Sequence, residues 1–249
     1  MNLRDEIKKF TDEYGLVHPN GSGSSLNGLS YTAEYYVLLK LRGELTRDDL
    51  TTYESIVKTL KTNDTWNLHR LPGNKDQQAW DDYANTLAAC SVFNNPIWGL
   101  ELTHTIRQQH FYMNNEIYMR EGATKYKHPD GRWNKSAFIG RFPQIHFLTA
   151  LAEGSAPSVL VQFLWFGRVL NTLNNLKKGT ASADGARITW MELVAYKSNK
   201  RFKSRLCDFA LYLWNNYFKK NNKTLADTQG DYFRDGHPFV EAFKNQGLV

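Results

Sequence analysis

The sequence contains little cysteine and no long apolar run. Its 249 residues include only two cysteines, Cys90 and Cys207, too few for a multi-disulfide framework or a cysteine-rich zinc module. Every stretch of about 18 residues contains charged or strongly polar groups, which argues against a membrane span. Three of the first six residues, Arg4, Asp5 and Glu6, are charged, where a signal peptide would be apolar. We therefore expect a soluble protein without a signal peptide or membrane span, which either stays in a reducing compartment or is released by a route that needs no signal peptide.

Strand patterns are also scarce. No six residues alternate between apolar and polar side chains, whereas apolar residues recur at helical spacing along most of the chain. Nine or ten helices are predicted, at about residues 3–14, 31–42, 47–60, 76–93, 97–111, 137–151, 158–176, 188–197, 200–219 and 238–244. With 41% apolar and 22% charged residues and no linker rich in proline or serine, residues 1–249 are expected to form a single all-α domain.

The short connections predict that consecutive helices pack as antiparallel hairpins. No period of about 34 to 47 residues repeats, which disfavours a solenoid. A closed or incomplete ring of hairpins, resembling an α/α-toroid, is the expected architecture, because loops at one rim of such a ring bring distant polar residues together. The helix at residues 158–176 is the most apolar, and we expect it to lie at the centre of the fold.

Basic residues exceed acidic ones by 31 − 25 = 6, and this excess is concentrated late in the chain. Its members are Lys197, Lys200, Arg201, Lys203, Arg205, Lys219, Lys220 and Lys223. No zinc-finger spacing, basic zipper or RNP-like strand accompanies them. A solvated helix face is therefore the main interpretation. Binding of nucleic acid through the first five is the alternative.

Three acidic residues are candidates for acid–base chemistry. Asp81 and Asp82 lie near a predicted helix start, where acids also complement free backbone N–H groups. Two neighbouring carboxylates resist simultaneous ionisation, so one of them can retain a proton and act as a general acid. Glu34 lies on or beside an aromatic helix face, where burial would raise its pKa. Together with Asp81 or Asp82, it would supply the paired carboxylates of glycoside hydrolysis.

Further residues are candidates for substrate binding: Trp66, His69, Arg70, Trp80, Tyr83 and His237. The aromatic ones would stack on sugar rings, and His69-Arg70 would bind an anion or a sugar, although a structural role in the loop is more common for such a pair. His104 and His110 are six residues apart and point in different directions on a helix. The sequence contains neither a Gly-x-Ser-x-Gly motif nor a phosphate-binding glycine pattern. We therefore predict no metal and no cofactor.

Short motifs between residues 27 and 238 carry a resemblance to a known group of proteins. They are Asn27-Gly28-Leu29-Ser30-Tyr31-Thr32-Ala33-Glu34-Tyr35, His69-Arg70-Leu71-Pro72-Gly73, Asp81-Asp82-Tyr83, Asp231-Tyr232-Phe233 and His237-Pro238. This series resembles a set of uncharacterised proteins encoded by tailed bacteriophages. Ala79-Trp80 stand where that set usually has Ser-His. The resemblance implies a phage origin and an α/α-toroid-like fold similar to that of some carbohydrate-active enzymes.

Three functions are compatible with these features. The first is a virion or virion-associated structural protein that holds other virion proteins, in the virion or the host cytoplasm, with the 14% of aromatic residues available for interfaces. The second is a glycan hydrolase or lyase, and the third is a nucleic-acid-associated phage factor. A structural protein should expose an apolar patch above a few hundred Å². The enzyme requires two carboxyl groups about 5–10 Å apart in one cleft.

Overall fold

The computed structural model describes residues 2–18, 28–62, 65–68, 80–94, 96–108, 142–228, 237–244 and 246–249. Within these ranges the chain forms ten α-helices: α1 Leu3–Ile7, α2 Gly28–Leu41, α3 Arg47–Thr59, α4 Trp80–Phe93, α5 Pro96–Gln108, α6 Phe142–Ala152, α7 Val159–Lys178, α8 Ala183–Ser198, α9 Arg205–Lys220 and α10 Pro238–Phe243. Two short strands, β1 Lys61–Thr62 and β2 Thr65–Leu68, pair antiparallel near the start of the loop predicted after α3. The all-α prediction is confirmed.

Local capping chemistry sets several helix ends. The hydroxyl of Thr46 accepts a hydrogen bond from the Asp49 backbone N–H, and the Asp49 carboxylate accepts one from the Thr46 N–H, which is a complete capping box. Ser158 caps α7 through its side chain, and Gly179 ends α7 with a φ of 67°, a left-handed conformation that suits glycine. These helix ends are therefore explained by residues next to them in the sequence.

The first helix is shorter than the sequence predicted. The α-helix ends at Ile7, and one 3₁₀ turn, Lys8–Phe10, follows it. Thr11 then forms a β-bridge with Val17. Between them, the Asp12 carboxylate accepts hydrogen bonds from the N–H groups of two later residues, an alternative to helical bonding that Asp readily offers. The prediction of a helix up to residue 14 was wrong for this reason.

The consecutive helices α6 to α9 alternate in direction. Successive residues of α6 contact successive residues at the end of α8, so these helices are parallel: Gln144 with Glu192, Phe147 with Tyr196, and Leu151 with Asn199. Helix α7 is antiparallel to α8, since Trp165 bonds to Glu192 and Arg168 to Thr189. Helix α9 is parallel to α7, beginning with the stacked pair Phe166 and Phe209. The alternation fits antiparallel hairpins, and the toroid-like ring stays a prediction.

Helix α8 lies in the interior of the fold along most of its length. It packs against α4, α6 and α7, and every residue from 186 to 196 is buried. Helix α7, in contrast, buries one side and exposes the other, where Val159 and Phe163 are 68% and 59% accessible to solvent. The prediction that α7 is central was therefore wrong. In the described part of the chain, no helix combines the length and apolarity needed to cross a bilayer.

Candidate functional site

The amino-terminal ends of α2, α4 and α8 meet in a buried polar group, the amino-end cluster, formed by Ser30, Glu34, Asp82, Asn85 and Arg187. The Asp82 carboxylate accepts the Ser30 backbone N–H at 2.8 Å. The Asn85 amide donates to the Ser30 hydroxyl at 2.7 Å and to Glu34 Oε1 at 2.8 Å. The Arg187 guanidinium bonds to Glu34 Oε2 at 3.1 Å. These bonds fix the three helices relative to one another.

Glu34 and Arg187 form a fully buried ion pair, with side-chain exposures of 0% and 1%. Burial raises the pKa of Glu34 to about 7, and the neighbouring Arg187 charge opposes that rise. Arg187 also bonds to Asp184 at 2.6 Å and lies 4.1 Å above the centre of the Tyr31 ring. Such a pair needs both partners, because either charge alone would be strongly disfavoured in the interior.

Asp82 serves the backbone of a neighbouring helix. The Ser30 N–H belongs to the first turn of α2, where helix geometry leaves N–H groups without an intrahelical acceptor. A carboxylate at that position forms a charge-assisted hydrogen bond. Asp82 is 1% exposed, whereas Asp81 is partly exposed. The structure thus joins Glu34 and Asp82 in one hydrogen-bonded network and buries both, and their catalytic role stays a prediction.

His237 lies at the same end of the fold. Its Nδ1 accepts the Phe239 N–H at 3.0 Å as the cap of α10, so its Nε2 donates to the His18 carbonyl oxygen at 3.2 Å. Burial lowers the pKa of His237 to about 4, and the positive charge of Arg187 adds to that effect. The ring is therefore neutral at pH 7 and holds residue 18 to α10. A role in substrate binding stays a prediction.

The other predicted binding residues are only partly placed. Tyr83 is fully buried in α4. The backbones of Trp66 and Trp80 belong to β2 and the start of α4, but their side chains lie outside the described residues, as do His69 and Arg70. Among the side chains that are described, no three His, Cys, Asp or Glu residues form a group able to hold a metal ion.

A second buried network surrounds Glu192 in α8, and none of its residues was predicted as a site residue from the sequence. Glu192 accepts hydrogen bonds from Gln144 at 2.5 Å and from the Trp165 indole at 2.8 Å, and it pairs with Arg168 at 2.9 Å. Burial raises the pKa of Glu192, while Arg168 lowers it. Arg168 also bonds to Thr189. The only signal in the sequence was a charged residue within the most apolar helix.

Most of the exposed large apolar side chains among the described residues lie on α7 and α9. This apolar face consists of Val159, Leu160, Phe163, Leu164, Leu170, Phe209 and Tyr212. Phe209 stacks with Tyr212 at a centroid distance of 6.2 Å. Since an aromatic side chain has about 150–250 Å² of surface, the three half-exposed rings alone present on the order of 300 Å². Patches above a few hundred Å² mark interaction sites.

Exposed cations flank the apolar face at both of its ends. Lys200, Arg201, Lys203 and Arg205 lie at the amino end of α9, and Lys177, Lys178, Lys219, Lys220 and Lys223 lie at the carboxyl ends. Residues 200–203 precede α9, so the helix predicted from residue 200 begins five residues later. A hydrogen bond of 2.6 Å from Ser204 to Gln162 holds this segment against α7. Asp208, the one acidic residue of α7 and α9, accepts a hydrogen bond from Tyr196.

A groove of about 450 Å³ lies between the carboxyl-terminal halves of α7 and α9. Its apolar lining is formed by Leu170, Leu173, Leu213 and Tyr217, and its polar lining by Asn174, Lys177, Asn216, Lys220 and Asn221. Because Leu170 belongs to both the groove and the apolar face, the two features form one continuous surface.

No protein-family model, curated protein or solved structure matches this chain.

Proposed function

We propose that the protein is a structural component of a phage particle and that it binds another protein of the particle through the apolar face of α7 and α9. The phage origin follows from the motif resemblance described above. The observation that carries the binding function is the exposure of four aliphatic and three aromatic side chains on two parallel helices. Aromatic residues concentrated in one patch are typical of protein interfaces.

A protein fits this surface better than a lipid bilayer does. The exposed amides of Asn171, Asn174 and Asn216 lie beside the apolar residues along the same two helices. If the helices lay in hydrocarbon, these amides would lose their hydrogen bonds with water and gain none. A protein partner supplies donors and acceptors for them, and interfaces combine an apolar centre with such a polar rim.

The charge around the apolar face favours an acidic partner. Nine exposed cations flank it and α7 and α9 contain only one acid, which is already hydrogen-bonded. Complementary charge raises the rate of encounter and selects against other partners. The cations lie at the two ends of an apolar surface and do not form a continuous basic stripe, so the arrangement supports protein binding more than nucleic-acid binding.

The contacts of Glu34 and Asp82 in the amino-end cluster support a stabilising role for these residues more than a catalytic one. A glycosidase carboxyl group must reach the sugar or the attacking water. In this structure one Glu34 oxygen is bonded to Asn85 and the other to Arg187, and Asp82 is bonded to the α2 backbone. The bonded carboxylates hold α2, α4 and α8 together, which is a sufficient reason for their presence. The hydrolase therefore remains the less supported alternative.

Quantitative mass spectrometry of purified phage particles tests this proposal. We expect the protein to be present in wild-type particles, and the double substitution Phe163→Ser with Tyr212→Ser to lower its copy number at least tenfold. Tyr14→Ser is the matched control, because Tyr14 is 43% exposed but lies far from α7 in sequence and outside the apolar face. Absence of the wild-type protein from particles, or equal incorporation of all variants, would contradict the proposal.

A further inference from the structure

We propose that the partner segment is an amphipathic α-helix with carboxylate side chains near one end, and that it lies in the furrow between α7 and α9. This inference rests on the proposed function and specifies its partner. Apolar residues of the partner helix would contact the apolar face, and its acidic residues would reach Lys177 and Lys220 at the groove.

The shape of the surface favours a helix. Helices α7 and α9 run side by side in the same direction, and the shorter of them, α9, is 16 residues long, so the furrow extends for about 24 Å at 1.5 Å per residue. The exposed positions Phe209, Tyr212 and Asn216 of α9 repeat at three- and four-residue spacing. A helix laid into such a furrow presents its own residues at the same spacing.

The centre of the furrow leaves room for close approach. Gly167 is exposed between Phe163 and Leu170, and a Cβ atom placed there would meet no atom within 4 Å. Farther along, the groove opens between the leucines of the two helices, and its volume of about 450 Å³ is within the usual range of binding pockets. The furrow therefore admits bulky partner side chains at its carboxyl end.

The polar groups of the groove offer a binding site for acidic side chains of the partner. Most of the apolar face occupies the amino-terminal half of α7 and α9, and Lys177, Lys220 and three asparagine amides line the groove at the other half. Ammonium and amide N–H groups are donors for a carboxylate, and a charge-assisted bond is stronger than a neutral one. The acidic end of the partner should therefore lie over the groove, with its apolar residues over Phe163 and Tyr212.

Site-specific photo-crosslinking in phage particles tests this arrangement. A benzophenone amino acid replaces Leu160 in one variant and Asn216 in another, and the crosslinked peptides are identified by mass spectrometry. Because residue 166 pairs with residue 209, these two positions are about 20 Å apart along the helix axes. We expect both crosslinks in one segment of one protein, about 13 residues apart, with Asp or Glu near the Asn216 contact. Crosslinks to lipid, to nucleic acid, to a second copy of this chain or to unrelated segments would overturn the proposal.

Charge reversal separates this inference from the proposed function. The double substitution Lys177→Glu with Lys220→Glu should lower incorporation into particles at least fivefold, whereas Lys40→Glu, an exposed lysine on α2, should leave it unchanged. If Phe163→Ser with Tyr212→Ser reduces incorporation but the Lys177 and Lys220 reversals match Lys40→Glu, the binding function stands and the acidic helix is rejected. If none of these variants differs from wild type, both proposals fail.

Discussion

The amino-end cluster and the apolar face arrange charge and apolar surface in opposite ways. The cluster buries Glu34 and Arg187, which compensate each other within the fold. The face exposes Phe163 and Tyr212, which no part of the described chain covers. A buried charge depends on its intramolecular partner, whereas an exposed apolar side chain gains only when another molecule covers it. Substitutions in the cluster should therefore change stability, and those on the face should change binding.

The largest loss of stability is expected from Arg187→Met. The substitution removes the partner of Glu34 and leaves a buried carboxylate without its cation, which costs about 3–5 kcal/mol. Chemical denaturation at pH 7.5 measures the difference, and Arg201→Met on the exposed segment before α9 is the control. A loss below about 1 kcal/mol would show that the ion pair does not stabilise the fold.

Glu34 and His237 should make the stability of the fold depend on pH in opposite ways. The pKa of Glu34 is raised from 4.5 to about 7, so the folded state binds more protons and loses about 3 kcal/mol of stability as the pH rises through that interval. The pKa of His237 is lowered from 6.5 to about 4, so the unfolded state binds more protons and stability falls by a similar amount as the pH drops through that interval.

Substituting Glu34 and His237 in turn separates their contributions to the pH dependence of the free energy of unfolding. For Glu34→Gln, the free energy of unfolding should rise with pH between 4 and 6.5, because the His237 contribution is then unopposed. His237→Asn retains a side chain able to cap α10. For this variant the free energy of unfolding should fall as the pH rises from 4.5 to 7, because the Glu34 contribution is then unopposed. Urea denaturation at several pH values provides the measurement. Parallel pH profiles for the two variants would contradict both assignments.

Substitutions on opposite sides of α7 should differ in how much they destabilise the fold, by less than the loss expected for Arg187→Met. Trp165 is buried, stacks on Phe147 at 4.0 Å and donates to Glu192, so Trp165→Phe keeps a ring but removes the donor, at a cost of about 1–3 kcal/mol. Phe163→Ser, two residues away, should stay within about 0.5 kcal/mol of wild type. Thermal and urea denaturation compare them. An equally destabilising Phe163→Ser would place that ring in the core.

The sequence was sufficient where local chemistry decides the structure. The cap at Thr46 and the stop at Gly179 depend on neighbouring residues, and the helices that they bound were predicted to within about two residues. The position of α7 was not predictable in this way, because the apolar composition of a helix does not show which of its faces other helices pack against. Nor was the pairing of Glu34 with Arg187 predictable, since these residues are 153 positions apart and only the tertiary fold brings them together.

The bond between His237 and the His18 carbonyl has a consequence for folding. It joins residues that are 219 positions apart, and the ring of His237 also lies 4.2 Å from that of Phe10. Arg4 ties the same first segment to Asp49, only 45 positions away. Because contacts between distant positions close long loops, we expect the attachment to α3 to form before the attachment to α10.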